Sequence, residues 1–252
     1  IRRPAGSREA DYMPLKNGDY AYLDYILKIK ESGEIVDTTI EEVAKGSGLR
    51  KDGTFEPLFL IVGEGWVPKG LEEGLIGLEP GDKRVIEVPP EKGYGERDPS
   101  KLRLLPLRRF MSRNINPVPG MSIEMDGRTA IVRAVGAGRV QVDFNHPLAG
   151  KTLVYEVILR RILESAEEKI RAILHRRIPE VEPEKFGISI GDGKLEVEIP
   201  EDAFYLEGLQ LAKRAAASDL EKYMPELEEI SFVEVFRRKA AGEGKPAEAQ
   251  SQ

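Results

Sequence analysis

Residues 62–99, VGEGWVPKGLEEGLIGLEPGDKRVIEVPPEKGYGERDP, decide the fold. Within them Leu71, Leu75 and Leu78 recur at helical spacing, so a short amphipathic helix is expected over 67–78. Glu79-Pro80-Gly81-Asp82 supplies the turn chemistry that ends it. KRVIEVPP (83–90) then alternates as a strand does and stops at two prolines. Working outward, PLFLIVGEG (57–65) reads as a buried strand, and GDYAYLDYILKIK (18–30) as an aromatic, β-branched one. Gly33 turns that strand into EIVDT, a short partner. Residues 41–57 hold three glycines and many polar residues, a long loop with one helical turn. KTLVYEVILRRI (151–162) returns as a long strand. Strands around one short helix make an α+β domain.

Residues 98–145 read as a different piece. LRLLPLRRFM (102–111) is apolar and basic, with Pro106 breaking any helix there. Three short strands follow, separated by turns at Asp126-Gly127 and Gly136-Ala137-Gly138. Charge sets this segment apart: 99–150 carry eight Lys and Arg against three Asp and Glu, in a chain whose net charge is −6. A small sheet inserted in a loop of the first domain is expected. Beyond it, Ser165 and Glu168 have capping-box spacing and open a helix with Ile170, Ile173, Leu174 and Ile178 on one face. GISIGDGKLEVEI (187–199) reads as a hairpin turning at Asp192-Gly193. Pro200 opens a second helix to about Tyr223, and ISFVEVF (230–236) closes an α-β-β-α-β unit. The last residues, 241–252, are low-complexity and read as a disordered tail.

Composition excludes several classes. Charged residues make up 33% and apolar residues 40%, a globular balance. No run approaches the ~18–20 apolar residues of a membrane span. The opening IRRPAGSREADYMPLK lacks a signal peptide's apolar core, so a soluble, cytoplasmic protein is expected. With no cysteine there is neither disulfide nor thiol chemistry, and with two histidines no histidine-rich metal site. The net negative charge argues against DNA as a partner. Gly63-Glu64-Gly65 suggests a nucleotide loop, but the third glycine of that fingerprint is replaced by Pro68. His146, in Asn145-His146-Pro147, reads as a turn histidine held by hydrogen bonds, and His175 as structural. Pattern alone therefore stops at an α+β protein with an inserted sheet.

The run at 62–99, together with VDFNHPLAGKTLVYEVILRRI (142–162), resembles the core of the FKBP-type peptidyl-prolyl cis/trans isomerases. Its spacing resembles the SlyD-type and long archaeal members, which carry an insert-in-flap domain at this point. The resemblance implies an antiparallel sheet around a short helix, a small β flap inserted in it, and a C-terminal α/β domain. The expected boundaries are an N-terminal tail (1–14), the isomerase domain (15–97 and 146–163), the insert (98–145) and a C-terminal domain (164–240).

By the same resemblance, Tyr25, Val36 and Asp37 match pocket walls, and Leu58 a position that is aromatic in many members. Val67 and Pro68 match the rim, and Leu71 a floor that is commonly tryptophan. Tyr94 matches the tyrosine near the substrate carbonyl, and Tyr155 the far wall. Trp66, the sole tryptophan, reads either as a packing residue or as a substrate contact. Pro68 stands where the family usually has an isoleucine whose N–H donates to a bound ligand; proline has no N–H, though it also suits a helix start. In the insert, Leu104, Leu105, Leu107, Phe110 and Met111 divide between an internal core and client binding. The five basic residues from Lys101 to Arg113 add attraction to acidic clients or ribosomal RNA. No cofactor or metal is implied. The expected partners are unfolded or nascent polypeptides with X–Pro bonds, the ribosome, and a second copy through the C-terminal domain. Three functions stay open: an isomerase with chaperone activity, a holdase with an impaired pocket, and an assembly scaffold that binds proline peptides.

Overall fold

The computed structural model describes residues 13–49, 54–125 and 127–237. Asp126 and the expected tail at 241–252 lie outside them, as does all but the end of the N-terminal tail. The chain divides into two compact units, Ile1–Ile162 and Leu163–Gln252.

The first unit is built on a five-stranded sheet. Its strands are β1 (Tyr20–Ile29), β2 (Ile35–Thr38), β3 (Leu58–Ile61), β4 (Lys83–Val88) and β9 (Leu153–Leu163), in the order β2-β1-β9-β4 with β3 also on β1. β2 pairs with the second half of β1 and β3 with the first half, both antiparallel. β4 runs antiparallel to β9, with Ile86 opposite Tyr155. Helix α2 (Lys69–Leu75) lays Leu71 and Leu75 into the core with Leu78 just beyond it, against Leu23, Leu60, Val88 and Val157. That approach requires glycine: a Cβ at Gly74 would sit 2.5 Å from Ile86 Cγ2, and one at Gly70 2.8 Å from Val88 Cγ1. Pro68 is the N-cap of α2 rather than its first residue (φ −54°, ψ 139°). The 41–57 stretch holds more helix than the single turn expected: α1 spans Glu41–Ser47, with Glu41 and Glu42 favourably placed in its first turn.

The insert has its own sheet and its own core. β5 (Leu102–Pro106), β6 (Ser122–Met125), β7 (Arg128–Gly136) and β8 (Arg139–Asp143) order as β5-β8-β7-β6, all antiparallel. Four strands stand where three were read, because LRLLP pairs with β8 and Pro106 falls at the end of an edge strand, where no ladder bond is lost. A single-turn helix, α3 (Arg108–Met111), follows it. Phe110, Ile123, Met125, Val132, Val140 and Val142 fill the interior.

The second unit follows the α-β-β-α-β order. α4 (Ala166–Arg177) starts at the Ser165–Glu168 capping box. β10 (Gly187–Gly191) and β11 (Lys194–Ile199) form a hairpin whose turn residues, Asp192 and Gly193, both have positive φ. Helix α5 begins at Leu209, not at Pro200, and runs to Tyr223. Pro200 instead precedes a short turn at Glu201–Ala203, and Gly208 at φ 79° breaks the chain before α5. β12 (Glu229–Glu234) lies parallel to β11. Among the described residues no helix is long and apolar enough to cross a membrane.

Candidate active site

A cavity of about 300 Å³ opens beside the first unit's core. β1 and β2 give it Leu27, Val36, Asp37 and Thr38; α1 and the loop after it give Ala44, Leu49 and Phe55. Tyr94 and Leu148 close it from the two chain segments that lead into and out of the insert. Period-two geometry explains the β1 side, since Tyr25 and Leu27 share a face and Leu27 pairs with Asp37.

Polar groups in this region are tied down. The Tyr25 hydroxyl donates to Asp37 Oδ2 at 2.6 Å, and the Thr38 N–H donates to Asp37 Oδ1 at 2.9 Å. The Tyr25 ring centroid lies 6.0 Å from that of Tyr155. Tyr155 is 3% exposed, and its hydroxyl is pushed well above the usual tyrosine range. Burial is the main cause, with Tyr94, Tyr25 and the Asp37 carboxylate adding to it. Three tyrosines and one carboxylate thus share a single electrostatic neighbourhood, in which Tyr155 stays neutral.

Tyr94 is 38% exposed and stands on a loop shaped by Pro90, whose carbonyl accepts from the Gly95 N–H at 2.8 Å. The Gly150 N–H donates to the Gly95 carbonyl at 2.8 Å, so the outgoing and returning chains meet beside Tyr94. The Tyr94 ring stacks face to face on His146, with centroids 4.1 Å apart and planes 1° from parallel.

The residues singled out in the sequence fall into two sets. Val36, Asp37 and Tyr94 line the cavity. Leu58, Leu71 and Tyr155 do not; together with Tyr25, Trp66 and Val67 they belong to the core cluster that also takes in Leu27, Val36 and Leu148. Leu71 is buried because the helix leucines face the sheet, which places it in the core behind the wall. Trp66 packs edge-on against Phe59, centroids 5.7 Å apart. Pro68 offers only its carbonyl, which accepts from Leu71 N–H at 2.9 Å and Glu72 N–H at 3.1 Å. Leu27, Thr38, Ala44, Leu49, Phe55 and Leu148 were missed. Phe55 was the one aromatic in a polar stretch, the only available signal.

The insert presents Leu104 (60% exposed) and Met111 (57%) to solvent. Phe110 is completely buried and organises the insert's core, so it is not available to a client. Leu105 and Leu107 are half-buried against that core. A second cavity, of about 400 Å³, is lined by Lys101, Arg103, Arg128, Met125 and Phe144, with the Arg103 guanidinium 5.5 Å from the Phe144 ring centre.

Comparison with known proteins gives consistent matches. A family described as "FKBP26, IF domain" matches residues 103–148, and one described as "FKBP26_C-terminal" matches 166–237. A short-type peptidyl-prolyl cis-trans isomerase of Methanocaldococcus jannaschii is 39% identical over 155 residues, 61% of this chain and 98% of that protein. A probable FKBP-type 16 kDa peptidyl-prolyl cis-trans isomerase of Pseudomonas fluorescens is 30% identical, covering 53% of this chain and 93% of its own length. The SlyD protein of Treponema pallidum, of the same type, is 30% identical over 65% of this chain and 87% of its own.

Proposed function

The chain belongs to the FKBP-type peptidyl-prolyl cis-trans isomerases, and on that premise we propose that the cavity bounded by Val36, Asp37 and Tyr94 receives the proline of an X–Pro bond while the insert holds the unfolded chain that carries it. The observation behind this is a cavity in which aliphatic and aromatic side chains (Leu27, Val36, Phe55, Leu148) face a few fixed polar groups, Asp37 among them.

The amide barrier of ~18–20 kcal/mol is lost resonance, so lowering it needs no nucleophile. A twisted amide has a less polar carbonyl and a more pyramidal nitrogen than a planar one. Apolar walls therefore favour the twisted state over the planar, well-solvated ground state, and each ~1.4 kcal/mol of that preference is tenfold in rate. Leu27, Val36, Phe55 and Leu148 surround the proline ring. Leu58, Val67, Leu71 and Tyr155 stiffen the wall from behind. The Tyr94 hydroxyl donates to a substrate carbonyl, and Asp37, held by Tyr25, orients the amide's surroundings.

The insert adds chaperone action. Leu104 and Met111 offer apolar contact, and β5, an edge strand, offers backbone groups to an extended client. Lys101, Arg103 and Arg128 draw acidic segments of that client. The reading extends to a cytoplasmic site of action on nascent chains, including those at the ribosome. The rate of isomerisation of a proline tetrapeptide tests it. Val36→Lys, which puts a charged stem in the cavity from an edge strand, should abolish turnover, and an unchanged rate would sink the site. Leu104→Glu with Met111→Glu should weaken suppression of aggregation while leaving the tetrapeptide rate alone.

A further inference from the structure

His146 does not line the cavity, yet it touches two residues that do. Its ring covers the face of Tyr94 at 4.1 Å, and its Nδ1 accepts the Leu148 N–H at 3.2 Å. A ring whose Nδ1 accepts a hydrogen bond is the neutral tautomer with its proton on Nε2. The backbone of His146 is anchored from the insert side. Asn145 Nδ2 donates to the Asp98 carbonyl at 3.0 Å and to Asp143 Oδ1 at 2.8 Å, and Asn145 Oδ1 accepts the Asp98 N–H at 2.9 Å. Tyr94, by contrast, is more than a third exposed and stands on a surface loop. Its hydroxyl shares a hydrogen bond with Tyr155, and the stack is what covers its ring face.

We infer that His146 is a positioning residue for the isomerase: its neutral ring holds Tyr94 in the orientation from which the hydroxyl reaches the substrate carbonyl, and its protonation releases Tyr94. The inference rests on Tyr94 being the carbonyl donor proposed above. The groups packed against His146 are the Tyr94 ring with its hydroxyl and the Leu148 N–H. A proton on Nδ1 would face that N–H donor to donor. Burial holds the imidazole below its usual pKa, and no carboxylate or cation contributes to that shift. Neutral solution therefore keeps the stack intact and acid weakens it. Through Asn145 the same ring ties the foot of the insert to the cavity wall.

The test is the rate of isomerisation of an X–Pro tetrapeptide, read by exchange NMR without a coupling protease, from about pH 8 to about pH 5, across the ordinary histidine pKa of about 6.5. Wild type, His146→Ala, His146→Phe and Tyr94→Ala are compared, with a melting temperature for each. His146→Ala should lose about tenfold, mostly in kcat, as a misplaced group does. His146→Phe keeps the stacked ring and should stay near wild type at neutral pH, while the acid fall of the wild type disappears. If His146→Ala fails to fold, the pH profiles of wild type and His146→Phe decide alone. The inference is overturned if His146→Ala matches wild type while Tyr94→Ala is impaired, or if His146→Phe keeps the acid fall. Full activity in Tyr94→Ala is a different result: it removes the reading of Tyr94, and this inference with it.

Discussion

The Tyr25 hydroxyl and the Asp37 carboxylate are joined by a 2.6 Å hydrogen bond that links β1 to β2 on the face bearing the cavity. Because Asp37 also caps the Thr38 N–H, its carboxylate is fixed through both oxygens. Tyr25→Phe removes one of these bonds and keeps the ring against Tyr155. It should cost ~1 kcal/mol of stability and slow tetrapeptide isomerisation roughly fivefold. Asp37→Asn, still an acceptor, should lose less activity than Asp37→Ala. Equal rates for all three variants would show that the pair only ties the strands together.

A second prediction concerns the foot of the insert. Asp143 is 1% exposed and accepts on Oδ1 from the Asn145 N–H and Nδ2, and on Oδ2 from Arg97 and Arg133. Burial alone would raise its pKa, but the Asn145 and Arg133 hydrogen bonds and the Arg97 charge outweigh it, and the net direction is downward. The folded state thus binds this proton less readily than the unfolded chain. Its contribution is complete above the ordinary carboxylate range and is lost as pH falls below about 4. Asp143→Ala leaves the buried Asn145 donors short of a partner and should cost ~1–3 kcal/mol. Thermal unfolding of the variant at neutral pH and in acid checks this: the difference from wild type should shrink in acid.

Much of this fold was legible where the determining interactions are local. Leu71, Leu75 and Leu78 at helical spacing, the Ser165–Glu168 box and the Asp192-Gly193 turn each act within a few residues. What escaped was set by distant partners. Leu49 and Phe55 line the cavity together with Val36, Asp37 and Thr38 of β2, a meeting of distant residues that no local pattern encodes. Phe110 and Met111 are adjacent, yet one is core and the other solvent-facing, and a single turn of helix carries no periodicity to separate them. His146 was read as a turn histidine held by hydrogen bonds, and it does accept the Leu148 N–H, but its stack on Tyr94 spans the whole insert and was invisible.

Removal of the insert gives a third prediction. The flanking chains already meet through the Gly150 N–H and the Gly95 carbonyl, and the insert's core is its own. Deleting 98–145 with a short closing link should leave a folded isomerase domain. Tetrapeptide turnover should persist within a few-fold, while refolding of a proline-limited protein substrate falls sharply. Equal loss in both assays would make the insert part of the catalytic site.

The second unit leads to a fourth. Tyr205 (91% exposed), Leu211 and Phe236 are apolar groups left in solvent, and β12 is an edge strand of a three-stranded sheet. Such surface favours a second copy, so a homodimer through residues 164–240 is expected. Light scattering of the whole chain should give twice the 28.1 kDa chain mass, and Leu211→Glu with Phe236→Glu should halve it. A monomer at high concentration removes this claim.

Pro68 carries the last prediction. It caps α2 with its carbonyl turned to the Leu71 and Glu72 amides, and being proline it has no N–H to offer a ligand. Family members with isoleucine here are expected to give a macrolide carbonyl that donor. A neutral hydrogen bond contributes ~0.5–1.5 kcal/mol net, and a buried carbonyl left unmatched costs ~1–3 kcal/mol. Macrolide affinity should therefore be roughly ten- to a hundredfold weaker than with the donor present. A mobile peptide can keep the same carbonyl in water, so turnover suffers less. Pro68→Ile should tighten macrolide binding, measured by calorimetry, and change the tetrapeptide rate only modestly. Its melting temperature should drop slightly, since the preset φ of proline is lost from the unfolded chain's restrictions. Unchanged affinity would mean that the residue-68 amide position does not face the ligand carbonyl.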